Sequence, residues 1–405
     1  MLTHGNILSN VEEVRVRYGV TPDDVYVSYL PLAHAFERTC GYYLLLLSGA
    51  TIAYAESVAT VVDDIREVRP TVLAAVPRAI EKAFDTVVSR VEEASALKRA
   101  LVRMTVRCLN ELANRRYRGK RVPLLLRGKC LVLNALIASK FRSIAGDRLR
   151  LIVSGGAPLD RKLAKILNVL GFTVLEGYGL TETAPAVTSM TVDDVALGTV
   201  GTPIPGVEVK IGHRDEILVR GPNVMKGYWN KPEATARAID SEGYFHTGDR
   251  GRFDEGGHLV ITGRIKDLIV TSYGKNVAPA PIEADLMKQP LIEMAMLCGD
   301  NRKYLSALLV PSEAALARLA EQVGSGAGPD VLEDERVRSR FAAVVEATNA
   351  KLASYQKIRR FCLLPEVPSV ENGLLTPTLK LRRGRVAERY AEQIEAMYKE
   401  DEAPV

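Results

Sequence analysis

The sequence predicts an α/β protein: a large domain with mainly parallel sheets and a β-rich subdomain, then a smaller, mobile α+β domain at the C-terminus. Three observations predict it. To about residue 260, short β-branched apolar runs alternate with helical patterns, the signature of parallel strands joined by crossover helices. After Val195 the texture changes to short strands between Gly, Pro and Asp turns. Beyond Asp267, strands and helices recur in what reads as a second unit.

The elements follow in order. Val25–Tyr29, Thr51–Ala53, Val72–Ala75, Leu149–Val153 and Thr173–Leu175 read as strands. Val58–Val68 and Leu159–Leu170 read as helices. Gly41 to Ala55 is the longest apolar stretch, but Ser48, Gly49 and Thr51 interrupt it. It is too short to span a membrane and reads as a buried helix running into a buried strand. Val207–Ile211, Glu216–Arg220 and Leu259–Thr262 are the short strands of the β-rich part. Ser306–Val310 is a strand and Val337–Leu352 a helix of the second unit. Gly324 to Pro329 is a surface loop by composition. No internal repeat is visible.

Composition bounds the function classes. The chain has 405 residues, 47% hydrophobic and 25% charged, ordinary for a globular protein with room for two domains. A net charge of +5 is too small at this length to argue for nucleic acid. The five cysteines, Cys40, Cys108, Cys130, Cys298 and Cys362, are scattered with no C-x-x-C pair. A reduced, cytoplasmic protein with buried thiols is expected rather than a disulfide or zinc framework. No signal peptide is seen.

One segment is electrostatically distinct. Between Lys98 and Lys129 there are eleven Lys/Arg and one acid, Glu111. Arg99, Arg103 and Arg107 share a helical face. A solvated face is the favoured reading. The sharper one is a peripheral dock for an anionic membrane, on the inner face. Nucleic acid is not expected, since Tyr117 is the only aromatic in the run.

The most informative residues are Leu175-Glu176-Gly177-Tyr178-Gly179-Leu180-Thr181-Glu182-Thr183. Glycines let a backbone approach a ligand, Tyr178 offers a π-face for a purine, Thr181 a hydroxyl donor, and Glu182 a hard oxygen for Mg²⁺. The apolar run before it puts this cluster at the carboxyl end of a strand, where open α/β sheets bind ligands. A Gly-rich turn capped by Thr and Glu would read the same. Val153-Ser154-Gly155-Gly156-Ala157-Pro158-Leu159 turns from a strand into a helix, with backbone N–H groups available to an anion. A tight turn is the alternative. Asp249, after Thr247-Gly248, could accept from a ribose diol, or close a hairpin. Arg264 and Lys266 follow an apolar strand near the presumed domain junction. Lys380 closes Leu375-Thr376-Pro377-Thr378-Leu379-Lys380 ahead of a basic helix.

Taken together, the order and spacing of these segments are specific. With Met1–Asn6, Tyr29–Arg38, Gly221–Trp229 and Gly274–Glu283, they resemble the adenylate-forming acyl-CoA synthetases over essentially the whole chain, the bacterial long-chain fatty acid–CoA ligases most of all. The resemblance implies domains at 1–265, with a helical insert at about 90–145, and at 266–405. It implies ATP, Mg²⁺ and CoA as cofactor and co-substrates, and a long-chain fatty acid activated through acyl-AMP. Gly155, Gly156 and Ala157 would line the adenine pocket with Glu176, Gly177 and Tyr178. Thr181 would hold the α-phosphate, Glu182 the Mg²⁺, and Asp249 the ribose, with Arg264 beside it. Lys266 would be the hinge and Lys380 the adenylation lysine. His34 would shape the acyl end, and the Gly274 loop would enter for thioester formation. Met190, Val187, Tyr42 and Tyr43 would line an acyl tunnel or be plain core. Tyr273 stands where the family often has another glycine. In the family, Met1-Leu2-Thr3-His4 follows a phosphate loop ending in Pro-Lys-Gly. The expectation is that this chain lacks that loop and is impaired in adenylation. A fatty acyl-AMP ligase and a non-catalytic AMP- and acyl-binding fragment are the alternatives.

Overall fold

The computed structural model describes residues 1–399, apart from 58–59, 78, 82, 85–99, 101–103, 106, 109–110, 113–114, 116–120, 131–141, 143–144, 325–328 and 377–379. Most of the expected helical insert, with Arg99 and Arg103, lies outside the described residues, as do Val58, Ala59 and the centre of the Gly324–Pro329 loop. The chain divides into two compact units. One comprises Met1–Thr247 and Gly251–Ile261, the other Gly248–Arg250 and Thr262–Val405.

The larger unit is built on a seven-stranded sheet. Its strands are β1 (Val25–Ser28), β2 (Thr51–Tyr54), β3 (Val72–Ala75), β4 (Leu151–Ser154), β5 (Thr173–Gly179), β6 (Ala186–Ser189) and β7 (Thr202–Pro203). Their order is β2-β1-β3-β4-β5-β6-β7. The first five pair in parallel, and β6 and β7 antiparallel. Strand side chains alternate between faces. Tyr26, Val72, Ala74, Leu151, Val153 and Leu175 join one core, with Val11, Val14 and Tyr18 of the helix His4–Tyr18. Val27, Leu73, Ala75, Ile152 and Val174 join the other, with Leu163, Ala164, Leu167 and Leu170. Both faces of β1, β3 and β4 are covered, so these strands read as unbroken apolar runs, whereas the edge strand β2 has no buried residue.

The helix Arg161–Leu170 shows why the sequence folds this way locally. Its apolar residues fall on one stripe. The Asp160 carboxylate accepts from the N–H groups of Lys162 and Leu163 at 2.9 and 3.0 Å, and Gly171 (φ 98°) ends the helix in the left-handed region. The expected apolar stretch from Gly41 resolves into a π-helical turn Glu37–Tyr43, a short helix Leu44–Leu47, and β2.

The β-rich part is a four-stranded sheet, β11-β10-β9-β8, of β8 (Glu208–Ile211), β9 (Glu216–Arg220), β10 (Phe245–Phe253) and β11 (Leu259–Arg264). Val187, Ile204, Ile217, Val219 and Leu259 form its core.

The smaller unit carries a hairpin, β12 (Ile269–Val270) with β13 (Asn276–Val277), and a three-stranded sheet. In that sheet β14 (Ile292–Cys298) pairs antiparallel with β15 (Leu305–Pro311), which pairs parallel with β16 (Ile358–Leu363). Ala295, Leu297, Ala307 and Leu309 face one core, with the helices Pro279–Met287 and Glu335–Asn349. Met294, Met296, Leu308 and Val310 face another, with Leu374, Leu375, Val386 and Tyr390. All five cysteines are free, and three are buried. Among the described residues, no helix is long and apolar enough to cross a membrane.

Candidate active site

The expected site residues fall into two groups, one in each unit. In the larger unit they gather at the carboxyl ends of β4 and β5. The β5 strand runs four residues further than the apolar run suggests, through Glu176, Gly177, Tyr178 and Gly179. It turns at Thr181–Thr183 and returns as β6. The cluster expected just past the strand is therefore half strand. Gly179 is needed by packing, because a Cβ there would stand 1.8 Å from the Pro185 carbonyl oxygen. At Gly177 a Cβ would stand 3.2 Å from the Thr188 carbonyl oxygen. Close backbone approach is real at both, and the partner shown is β6 or its turn.

Glu176 is 5% exposed and lies beside Ser154 in the β4–β5 register. Its Oε2 accepts from the Leu159 N–H at 3.2 Å. Its Oε1 and the Ser154 hydroxyl are buried without a hydrogen-bond partner among the described residues. Burial pushes the Glu176 carboxyl up to about 7, and the Leu159 N–H pulls it back only in part. Tyr178 is half-buried and packs against the Val187 cluster. Gly156 sits at φ 84°, in the left-handed region. The ring of Phe36 lies 3.1 Å from where a Gly155 Cβ would be, so the His34–Phe36 segment covers the start of the Gly155–Ala157 turn. The His34 Nδ1 accepts from the Phe36 N–H at 3.2 Å.

Thr181 is exposed, and Glu182 half-buried. The Tyr228 hydroxyl donates to Glu182 Oε1 at 3.0 Å. Burial, then Glu182, pushes that phenol up to about 12, so it stays a donor at neutral pH. The turn is held by Asn10 and Asn223. Asn223 Nδ2 donates to the carbonyls of Thr183 and Ala186 at 3.1 and 2.8 Å. Asn10 Nδ2 donates to the same two at 3.4 and 2.7 Å. Met190 and Val187 are fully buried core, and Arg38 lies 5.6 and 5.4 Å from the rings of Tyr42 and Tyr43.

Sequence reasoning gave no role to Glu37, which is fully buried. It accepts from the Tyr26 hydroxyl at 2.7 Å and the Ser28 hydroxyl at 2.6 Å. Burial raises its carboxyl above the usual range. A Cβ at Gly41 would stand 2.5 Å from this carboxylate. The neighbouring Arg38 makes Glu37 look like half of a surface charge pair, so no local signal marked it.

In the smaller unit, Asp249 is 6% exposed and accepts from Arg264 Nε at 2.6 Å. Lys380 keeps solvent access, but its ammonium lies in crowded surroundings. That partial burial and then Arg264 lower its pKa, while Asp249 raises it. These three residues are thus brought together. Lys266 is exposed in the turn after β11. Gly274 is at the tip of the β12–β13 hairpin, at φ 71°, with open space where a Cβ would be. Its requirement is conformational.

Comparison with known proteins places these features in a wider set. The chain matches the AMP-binding enzyme family over residues 1–229 and the AMP-binding enzyme C-terminal domain over 266–402. It is 35% identical to the long-chain-fatty-acid–CoA ligase FadD15 of Mycobacterium bovis, covering 99% of this chain and 67% of that protein. It is 31% identical to the peroxisomal long chain acyl-CoA synthetase 7 of Arabidopsis thaliana, covering 99% and 59%. Among solved structures it is similar to the O-succinylbenzoate coenzyme A synthetase of Bacillus subtilis in complex with AMP (TM-score 0.65, 22% identity, 95% and 65% covered). It is also similar to the adenylation domain of a carboxylate reductase from Mycobacterium chelonae (TM-score 0.72, 24% identity, 97% and 57% covered). The chain thus spans about two thirds of the length of such relatives.

Proposed function

The chain belongs to the AMP-binding enzyme family, and we propose that it serves a long-chain fatty acid–CoA ligase. A fatty carboxylate attacks the α-phosphorus of ATP, the bond to the β-phosphate breaks, and pyrophosphate leaves. The CoA thiolate then attacks the acyl carbon and AMP leaves. The single observation that carries this reading is the whole-chain likeness to ligases of long-chain fatty acids at 35% identity. The local chemistry agrees with it.

In this reading the purine sits against Tyr178 and the Gly155–Ala157 turn. Glu176 and Ser154, buried with unsatisfied polar atoms, suit the polar edge of a base. Asp249 accepts from the ribose hydroxyls with Arg264 beside it, and Thr181 donates to the α-phosphate. Among the described residues no three His, Cys, Asp or Glu gather as a metal cage. Glu182 offers one carboxylate, which fits Mg²⁺, an ion commonly held by one or two carboxylates, waters and phosphate oxygens. The ion would neutralise phosphate charge. Lys380 stabilises the negative charge that shifts onto phosphate as pyrophosphate departs. We place the domain boundary at residue 265/266, with Lys266 as the hinge, so that the smaller unit presents Lys380 for the first step and the Gly274 hairpin for the second. His34 bounds the acyl end.

The test is ATP–pyrophosphate exchange with palmitate and Mg²⁺, followed by thioester formation with CoA, on the natural protein containing this chain. No exchange with any long-chain acid would refute the reading. Exchange without a CoA thioester would favour a fatty acyl-AMP ligase that serves a carrier protein. Peripheral contact with anionic membrane is a separate proposal on the basic run. Neutralising Arg99, Arg103 and Arg107 together should weaken low-salt binding to phosphatidylserine vesicles, and unchanged binding returns the run to a solvated face.

A further inference from the structure

Glu283 is a buried acid to which the proposed chemistry assigns nothing. It lies in the helix Pro279–Met287 and is 7% exposed. Arg383 Nη1 donates to both of its oxygens at 2.8 Å, and Arg383 Nη2 donates to the Leu297 carbonyl at 3.0 Å. The Leu297 N–H donates to Glu283 Oε1 at 2.6 Å. One guanidinium therefore ties together a helix, the end of β14, and the first residue of the helix Arg383–Arg389. A buried ion pair is a weak source of stability, because desolvation offsets the attraction. What it does supply is direction, since the guanidinium fork fixes angle as well as distance.

Arg383 follows Lys380 by three residues, so their Cα atoms are within about 11 Å of each other. The backbone on either side of Lys380 is held to itself. The Thr376 N–H donates to the Lys380 carbonyl at 2.8 Å, and the Lys380 N–H to the Thr376 hydroxyl at 3.0 Å. Leu375 and Leu381 form an antiparallel bridge, and the Arg382 N–H reaches the Leu374 carbonyl at 2.9 Å. Leu374 and Leu375 are sunk in the core with Met294 and Val386. Asp267, next to the proposed hinge, lies near enough to Glu283 to push its carboxyl up, adding to the larger effect of burial.

We propose that Arg383, gripped by Glu283, is the positioning residue for Lys380: it sets where the ammonium stands without touching a reactant. The inference rests on the role given to Lys380 above. A lysine side chain has many rotamers to choose from, so a rigid anchor three residues away is a means of aiming it.

The experiment uses Arg383→Lys, which keeps the charge and loses the fork, in the natural protein. Glu283→Gln is the second variant should the first not fold, and Lys380→Ala is the control. Two readouts are taken: the rates of both half-reactions, and the pH midpoint of Lys380 acylation by acetic anhydride, followed by peptide mass spectrometry. A misaimed group costs about 10- to 100-fold in rate. ATP–pyrophosphate exchange should fall by that factor, thioester formation from pre-made acyl-adenylate should hold, and the acylation midpoint should rise towards that of an ordinary lysine. Loss of both half-reactions together would mean the pair only holds the fold, and overturns the inference. So would a folded variant with normal exchange and an unmoved midpoint. If Lys380→Ala keeps full exchange, the role of Lys380 fails, while the midpoint still decides whether Arg383 aims it.

Discussion

Replacing Glu176 with Gln tests the electrostatics of the nucleotide end of the site without touching its shape. The carboxyl is 5% exposed and sits at about 7 instead of the usual 4.5, because burial disfavours its charged form. In the unfolded chain it ionises normally. Between pH 4.5 and 7 the folded state therefore binds more protons than the unfolded one, and stability falls as pH rises through that window. The shift corresponds to about 3 kcal/mol, fully lost above pH 7. Glutamine has no proton to lose. Its carbonyl can still accept from the Leu159 N–H. The variant should match the parent near pH 4.5 and exceed it at pH 8 by up to about 3 kcal/mol. In urea, followed by circular dichroism, that is a rise in midpoint of about 1 M or more. An equal midpoint difference at pH 5 and pH 8 would show that Glu176 titrates normally and that the burial argument is wrong.

Three other outcomes are expected. Lys266→Pro should leave ATP–pyrophosphate exchange intact and abolish thioester formation, because proline fixes φ at the proposed hinge; equal loss of both steps would remove Lys266 from that role. Gly179→Ala should destabilise the larger unit by about 1–3 kcal/mol or more, since the new Cβ meets the Pro185 carbonyl; parent-like unfolding would contradict the packing described. Tyr228→Phe should raise the Mg²⁺ concentration for half-maximal exchange about tenfold, by freeing the Glu182 carboxylate to turn; an unchanged Mg²⁺ dependence would separate Tyr228 from metal binding.

Much of the fold was legible because its signals are local. The stripe Leu163, Ala164, Leu167 and Leu170, with Asp160 before it and Gly171 after it, announces a helix without reference to the rest of the chain. Strands buried on both faces show as unbroken apolar runs. Although β2, expected to be buried, is an edge strand with Thr51 and Tyr54 exposed, β1, β3 and β4 were found from such runs. The length of β5 was not, because Glu-Gly-Tyr-Gly reads as a turn. Only pairing with β6 makes those residues extended. Although Asp249 stands in the middle of β10, some of the site motifs were equally readable, because Gly155–Ala157 follows β4 and Lys266 follows β11. The anchors of the site were not. Glu283 and Arg383 are a hundred residues apart, and Tyr228 meets Glu182 across forty-six. No local pattern marks such partners, since each looks like an ordinary surface residue until the chain is folded. Glu37 was hidden because it sits beside Arg38 like an ordinary surface acid, while its partners, Tyr26 and Ser28, belong to a neighbouring strand.

Glu37 and Gly41 also constrain the order in which this protein can change. Position 41 has no room for even a methyl group, because the Glu37 carboxylate and the Tyr26 hydroxyl, 2.5 and 2.6 Å from where a Cβ would be, occupy that space. While Gly41 is present, position 37 is free to shorten. A route that enlarges residue 41 first passes through a clash in the interior of the π-helical turn. A route that shortens Glu37 first deprives two hydroxyls, on Tyr26 and Ser28, of an acceptor, and still leaves the Tyr26 hydroxyl against position 41. Residue 41 can thus grow only after both Glu37 and Tyr26 have given way, so the turn beside Phe36 is locked by three positions that must change in concert.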